Sequence, residues 1–140
     1  MNAVRTFVDT NILIYAFTAD DPAKQETALK ALEYCLPVIS TQVIREFSNV
    51  ILRKTDIDLQ TIKEIVSEIT EVAYLVNEEL GLIFAALDIH KRYKFSFYDS
   101  LIIAAAISSK CQVLLSEDMQ DGQIINEELI IVNPFKNVSS

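Results

Sequence analysis

Four carboxylates, Asp9, Glu46, Asp99 and Asp118, sit inside or at the ends of strongly apolar stretches. Asp9 ends Arg5-Thr6-Phe7-Val8, and Glu46 follows Val43-Ile44 and precedes Phe47, Val50 and Ile51. Asp99 opens the run Leu101 to Ile107, and Asp118 comes just after Val113-Leu114-Leu115. Apolar segments go to the core, where a bare carboxylate is costly. Acids carried there by four separate segments point to a shared site, and a hard cation that prefers oxygen ligands is the simplest thing to stabilise it.

Each acid also has a plainer reading. Asp9-Thr10-Asn11 is a good helix start, since Asp and Asn favour that place. As a metal ligand, Asp9 would have Thr10 or Asn11 as hydrogen-bonding neighbours. Glu46 has Val43 and Val50 at i−3 and i+4, which puts it beside the apolar face of its helix. Ser96-x-x-Asp99 matches a capping box with Asp in the Glu position. Asp118 lies in Leu115-Ser116-Glu117-Asp118-Met119-Gln120-Asp121-Gly122, whose last two residues signal a turn. There Glu117 and Asp121 are either further ligands or solvated acids.

The elements that must position these residues follow from periodicity. Thr6–Val8, Pro37–Ser40, Val72–Val76, Gln112–Leu115 and Leu129–Val132 read as short strands. Helices are expected over Asn11–Thr18, Pro22–Tyr34, Thr41–Lys54 with Thr41 as cap, Leu59–Thr70, Glu79–Tyr93 and Phe97–Ser109. Alternation of strands and helices implies an α/β domain, a mostly parallel sheet covered on both faces, spanning residues 1–140 as one unit. Sites in such sheets form beyond the carboxyl ends of the strands, where Asp9 and Asp118 both fall.

Bulk properties narrow the function. Two glycines, with no G-x-x-x-x-G-K-[ST] or G-x-G-x-x-G, argue against a phosphate-cradling loop. A net charge of −8 argues against nucleic-acid binding through a general basic field. It does not exclude a nuclease, because bound divalent cations reverse the sign locally. Cys35 and Cys111 fit no zinc or redox spacing and read as free thiols. Met1–Val8 is too short an apolar run for a signal peptide, and Leu101–Ile107 is far too short to cross a bilayer, so a soluble cytoplasmic protein is expected. The single His90, on a helix between Ile89 and Lys91, reads as structural or solvated. A dehalogenase-type phosphotransferase would need an acid at Asn11, and a receiver domain an Asp after the third strand, where Val72–Asn77 has none.

Taken in order, VDTN (8–11), the helical RE (45–46), YDSLIIAAA (98–106) and LSEDMQDG (115–122) resemble PIN-domain ribonucleases, specifically the VapC-like toxins of type II toxin–antitoxin pairs. The resemblance implies a three-layer α/β/α fold. Asp9, Glu46, Asp99 and Asp118 match the acidic positions, Thr10, Asn11 and Ser116 the polar neighbours, and Asp121 a further acid of some members. It implies one or two Mg²⁺ or Mn²⁺ ions and endonucleolytic RNA cleavage by water, leaving 5′-phosphate and 3′-hydroxyl ends. Two carboxylates about 5 Å apart repel by roughly 3 kcal/mol at an effective dielectric near 20, which such ions would offset. Arg45, Arg53, Lys54, Lys91, Arg92 and Lys94 are candidate phosphate contacts. An antitoxin partner and a homodimer are also implied. A non-catalytic PIN-like RNA- or protein-binding module and a housekeeping PIN nuclease are the alternatives.

Overall fold

The computed structural model describes residues 3–138, so Met1 and Asn2, part of the stretch weighed above as a leader, lie outside it. The elements run β1 (Val4–Val8), α1 (Thr10–Phe17), α2 (Pro22–Glu33), β2 (Cys35–Ser40), α3 (Thr41–Lys54), α4 (Leu59–Val72), β3 (Tyr74–Val76), α5 (Leu80–Tyr93), α6 (Phe97–Ser108), β4 (Val113–Leu115), β5 (Ile124–Ile125) and β6 (Leu129–Val132). They form one sheet in the order β3-β2-β1-β4-β6-β5. Every pairing is parallel except β5 with β6.

Consecutive residues of the central strands are buried, among them Phe7-Val8, Val38-Ile39 and Leu114-Leu115. This is the signature of a parallel sheet covered on both faces. The path β1→β2→β3 steps one way and β3→β4 steps back, so right-handed crossovers place α1–α4 on one face and α5–α6 on the other. The reversal falls between β1 and β4, which are neighbours with Val8 opposite Leu115. In open α/β sheets that crevice is where ligands bind.

The helices that carry acids differ in how they are held. In α3, Val43, Phe47 and Ile51 repeat at i, i+4 and i+8 and are fully buried, leaving other faces free. In α6, every residue from Ser100 to Ala106 is buried, so the helix is a fixed strut through the core.

Three expectations change. Ser40, not Thr41, caps α3, its hydroxyl accepting from Val43 N–H, while the Thr41 hydroxyl donates to Glu78. Helix α4 extends to Val72, and β3 begins at Tyr74. Strand β5 was not anticipated. It is two residues long and turns into β6 through Asn126 and Glu127, at φ +51° and +59°. That turn carries no glycine to announce it. Pro37 is tolerated within β2 because pairing with β3 begins only at Val38.

Candidate active site

The four acids predicted to share a site line one cleft at the β1/β4 crevice. Asp9 lies at its base, Thr10, Asn11 and Ile14 come from α1, Gln42, Glu46 and Val50 from α3, Tyr98, Asp99 and Ile102 from α6, and Asp118 from the loop after β4. The backbone fixes the base: Asp9 N–H continues the β1–β4 ladder to Leu115 O at 3.0 Å, and Ser116 N–H reaches Val132 O at 3.1 Å.

Three of the four carboxylates are held by a neighbour named from the sequence. Asp9 caps α1, its Oδ1 accepting from Thr10 N–H at 2.8 Å, while its Oδ2 accepts from the Ser116 hydroxyl at 2.9 Å. The capping and site readings of Asp9 are thus one geometry. The Thr10 hydroxyl donates to Glu46 Oε1 at 3.1 Å, and Asn11 Nδ2 donates to Asp118 Oδ2 at 2.7 Å. Asp99 occupies the first turn of α6, whose cap Ser96 accepts from Asp99 N–H at 3.1 Å.

The acids are not equally buried. Asp9 and Asp99 are half-buried, whereas Glu46 and Asp118 are exposed at the rim. The apolar flanks of Glu46 and Asp118 therefore anchor their elements without taking the carboxylates out of water. Burial accordingly acts on the inner pair. It pushes the Asp9 carboxyl up to about 6, against the pull of Thr10 N–H and the Ser116 hydroxyl, and the charges of Glu46 and Asp99 push the same way. Asp99 is also raised, first by burial and then by the charge of Asp118, with Ser96 opposing. Among the described residues no salt bridge reaches any of these four acids. The donors are all oxygen, which suits a hard divalent ion. As placed, no three described His, Cys, Asp or Glu side chains are gathered closely enough to hold one.

Other predicted residues are used elsewhere. Asp121 does not line the cleft; it accepts from Asn133 N–H at 2.8 Å and Lys136 at 3.3 Å, which lowers its pKa. Arg45 pairs with Glu78 at 2.7 Å, and Arg92 lies over Tyr93 and donates to Asn126. Lys91 and Lys94 do not line the cleft, and Lys94 takes the left-handed position that ends α5. Lys54 does lie on a groove contiguous with it, sharing Asn11, Ile14 and Val50. His90 is exposed and contacts Phe95 O, as expected of a structural residue. Gln42 was missed; its only signal is a place one turn before Glu46 on the same helical stripe.

Residues 6–120 match the model of the PIN domain. No curated protein matches the chain. Among solved structures, a toxin–antitoxin complex from Klebsiella pneumoniae superposes at TM-score 0.70 and 20% identity, covering 92% of this chain and 97% of that one. VapC20 of Mycobacterium tuberculosis, a sarcin–ricin-loop-cleaving toxin, gives TM-score 0.66 at 19% identity, with 81% and 91% covered. VapBC2 of Rickettsia felis, bound to a fragment of its promoter DNA, gives 0.66 at 14%, with 91% and 96% covered. At such identities these structures establish a shared fold. The chain belongs to the PIN-domain family, as its motifs suggested.

Proposed function

We propose that this chain is a divalent-metal-dependent endoribonuclease and the toxin of a toxin–antitoxin pair. The observation that carries the reading is the convergence of Asp9, Glu46, Asp99 and Asp118, with no cation of the described residues paired to them, on one cleft at the topological switch point. Membership in the PIN family, and the toxin–antitoxin descriptions of the structures it resembles, support the toxin role.

In this reading the four carboxylates hold Mg²⁺ or Mn²⁺, and Thr10, Asn11 and Ser116 keep Asp9, Glu46 and Asp118 oriented. The ion, when bound, neutralises charge and makes water a better nucleophile. Water adds to the phosphorus, the bond to the 3′ oxygen breaks, and the ends are a 5′-phosphate and a 3′-hydroxyl. Lys54, in the adjoining groove, meets a neighbouring backbone phosphate. The antitoxin inhibits by covering the cleft with a cationic side chain that replaces the ion's charge. The active form is a homodimer, and the protein works in the cytoplasm. Among the described residues, no helix is long and apolar enough to cross a membrane.

The test is cleavage of total RNA by purified protein in Mn²⁺ and in EDTA, beside Asp9→Asn and Asp99→Asn. Metal-dependent products absent from both variants are expected, with fragment ends read by ligation. Equal cleavage by wild type and variants would sink the assignment. RNA binding without cleavage, unaffected by either substitution, would favour the non-catalytic module.

A further inference from the structure

Gln42 is 4% exposed and lines the acidic cleft. Its amide Nε2 donates to Glu46 Oε1 at 3.3 Å and to the backbone carbonyl of Tyr98 at 3.4 Å. Both neighbours are acceptors, so the amide must present its NH₂ group to them, which fixes its orientation. Its oxygen is then left buried with no hydrogen-bond partner among the described residues. A buried amide that leaves its acceptor unpaired weighs against the folded state, and an apolar side chain of the same shape would serve stability better.

The contact it does make is at a useful place. Thr10 and Gln42 both donate to the same oxygen, Oε1 of Glu46, from α1 and from within α3. No bond among the described residues engages Oε2. Glu46 is exposed and has several rotatable bonds, so without these donors its carboxylate would sample the solvent. The Tyr98 carbonyl ties the same amide to the first turn of α6, one residue before Asp99.

We infer that Gln42 is a positioning residue of the cleft, retained to aim Glu46 and to tie it to the turn that carries Asp99. This rests on the proposed reading of the cleft as a metal-dependent nuclease site. Gln42 touches neither substrate nor ion; it acts through Glu46, leaving Oε2 available to a cation.

The test compares Gln42→Met, an apolar side chain of similar length, with wild type and with the same change in a Glu46→Gln background. Thermal melting is measured in EDTA, Mn²⁺ affinity by electron paramagnetic resonance of the free ion, and kcat and KM on a defined RNA. For Gln42→Met, the melting temperature in EDTA stays at or above wild type. Its Mn²⁺ affinity and kcat each fall by about tenfold, with KM nearly unchanged. In the Glu46→Gln background the substitution has no further effect on either. Wild-type affinity and kcat in Gln42→Met would overturn the inference. So would losses that track a lowered melting temperature, or that persist undiminished without Glu46. A wild type that neither binds Mn²⁺ nor cleaves RNA overturns the reading of the cleft and Gln42's role with it. A wild type that does both while Gln42→Met matches it overturns the Gln42 assignment alone.

Discussion

Acids of one segment meet opposite fates across a few residues. Glu117 forms a half-buried pair with Lys24, joined by the Tyr15 hydroxyl at 2.8 Å, and the Lys24 ammonium also lies over the rings of Tyr15 and Phe135. Asp121 holds Asn133 N–H and Lys136. Between them Asp118 faces the cleft, where Asn11, a neutral donor, is its partner. Among the described residues, cations are supplied to Glu117 and Asp121 and none pairs with Asp9, Glu46, Asp99 or Asp118. An acid neutralised from within is part of the scaffold. A group of acids left with neutral donors is set up for a cation from outside, whether an ion or an antitoxin's basic side chain.

The largest break in this comparison comes from substituting the cleft acids. Asp9→Asn or Asp99→Asn should lower the cleavage rate on the order of 10³-fold, as when a major electrostatic contact to the reacting group is removed. Glu117→Gln should leave a folded protein that still cleaves. Mn²⁺ at about 100 times its Kd should stabilise wild type by about 2.7 kcal/mol, seen as a rise in Tm, and should do less for either cleft variant. Equal metal responses would erase the distinction between the two kinds of acid.

The next effect is a pH dependence with a definite sign. The folded pKa of Asp9 is about 6, above its ordinary value of 3.8. The folded protein therefore holds this proton more tightly than the unfolded chain, so Asp9 destabilises as pH rises from about 4 through 6. The full difference is at most about 3 kcal/mol by neutral pH. In EDTA, wild type should lose stability across that window relative to Asp9→Asn, and Asp9→Asn should be the more stable of the two at pH 7. Denaturant melts at a series of pH values measure this, and parallel curves would refute it. Mn²⁺ should flatten the wild-type dependence, because an ion favours the ionised form.

What could be read from the residues, and what could not, divides along physical lines. Apolar periodicity located β1, α3 and α6, because burial of Phe7, Phe47 and Ile103 is what holds those elements. The acids were visible through their apolar flanks, and strand ends told where the sheet would bring two of them. Burial was over-read: the flanks of Glu46 and Asp118 anchor the backbone, not the carboxylate. Asp121 was ambiguous because its partners, Asn133 and Lys136, come from beyond β6. Gln42 carries only its place one turn before Glu46, because a glutamine on an amphipathic helix bears no local mark of a long-range contact with Tyr98. Strand β5 was missed because two residues have no period.

Breaking the internal pair should come third. Lys24→Met removes the cation from Glu117, and both side chains are about one-fifth exposed, at 18% and 22%. A loss of about 1–3 kcal/mol is expected, less than for a fully buried pair, because water still reaches the acid left behind. Cleavage per folded molecule should change little. If Lys24→Met instead abolished cleavage at full stability, Lys24 would belong with the cleft and not with the scaffold.

The smallest effect should come from Lys136→Ala. Its side chain is 67% exposed and the pair with Asp121 is open to solvent, so Tm should move within about 1–2 °C. Asp121 keeps its stronger contact, since Asn133 N–H still donates to the other carboxylate oxygen. That backbone bond is the first cause of its lowered pKa, with Lys136 behind it. The sign is therefore opposite to that of Asp9. A carboxyl held below its ordinary range adds stability above pH 3.8, and that stability is lost as pH falls through its folded pKa. In Lys136→Ala the Asp121 carboxyl resonance should still titrate below the ordinary aspartate range while that of Asp9 titrates well above it. If Asp121 instead rises to meet Asp9, Lys136 and not the Asn133 bond is what holds it low.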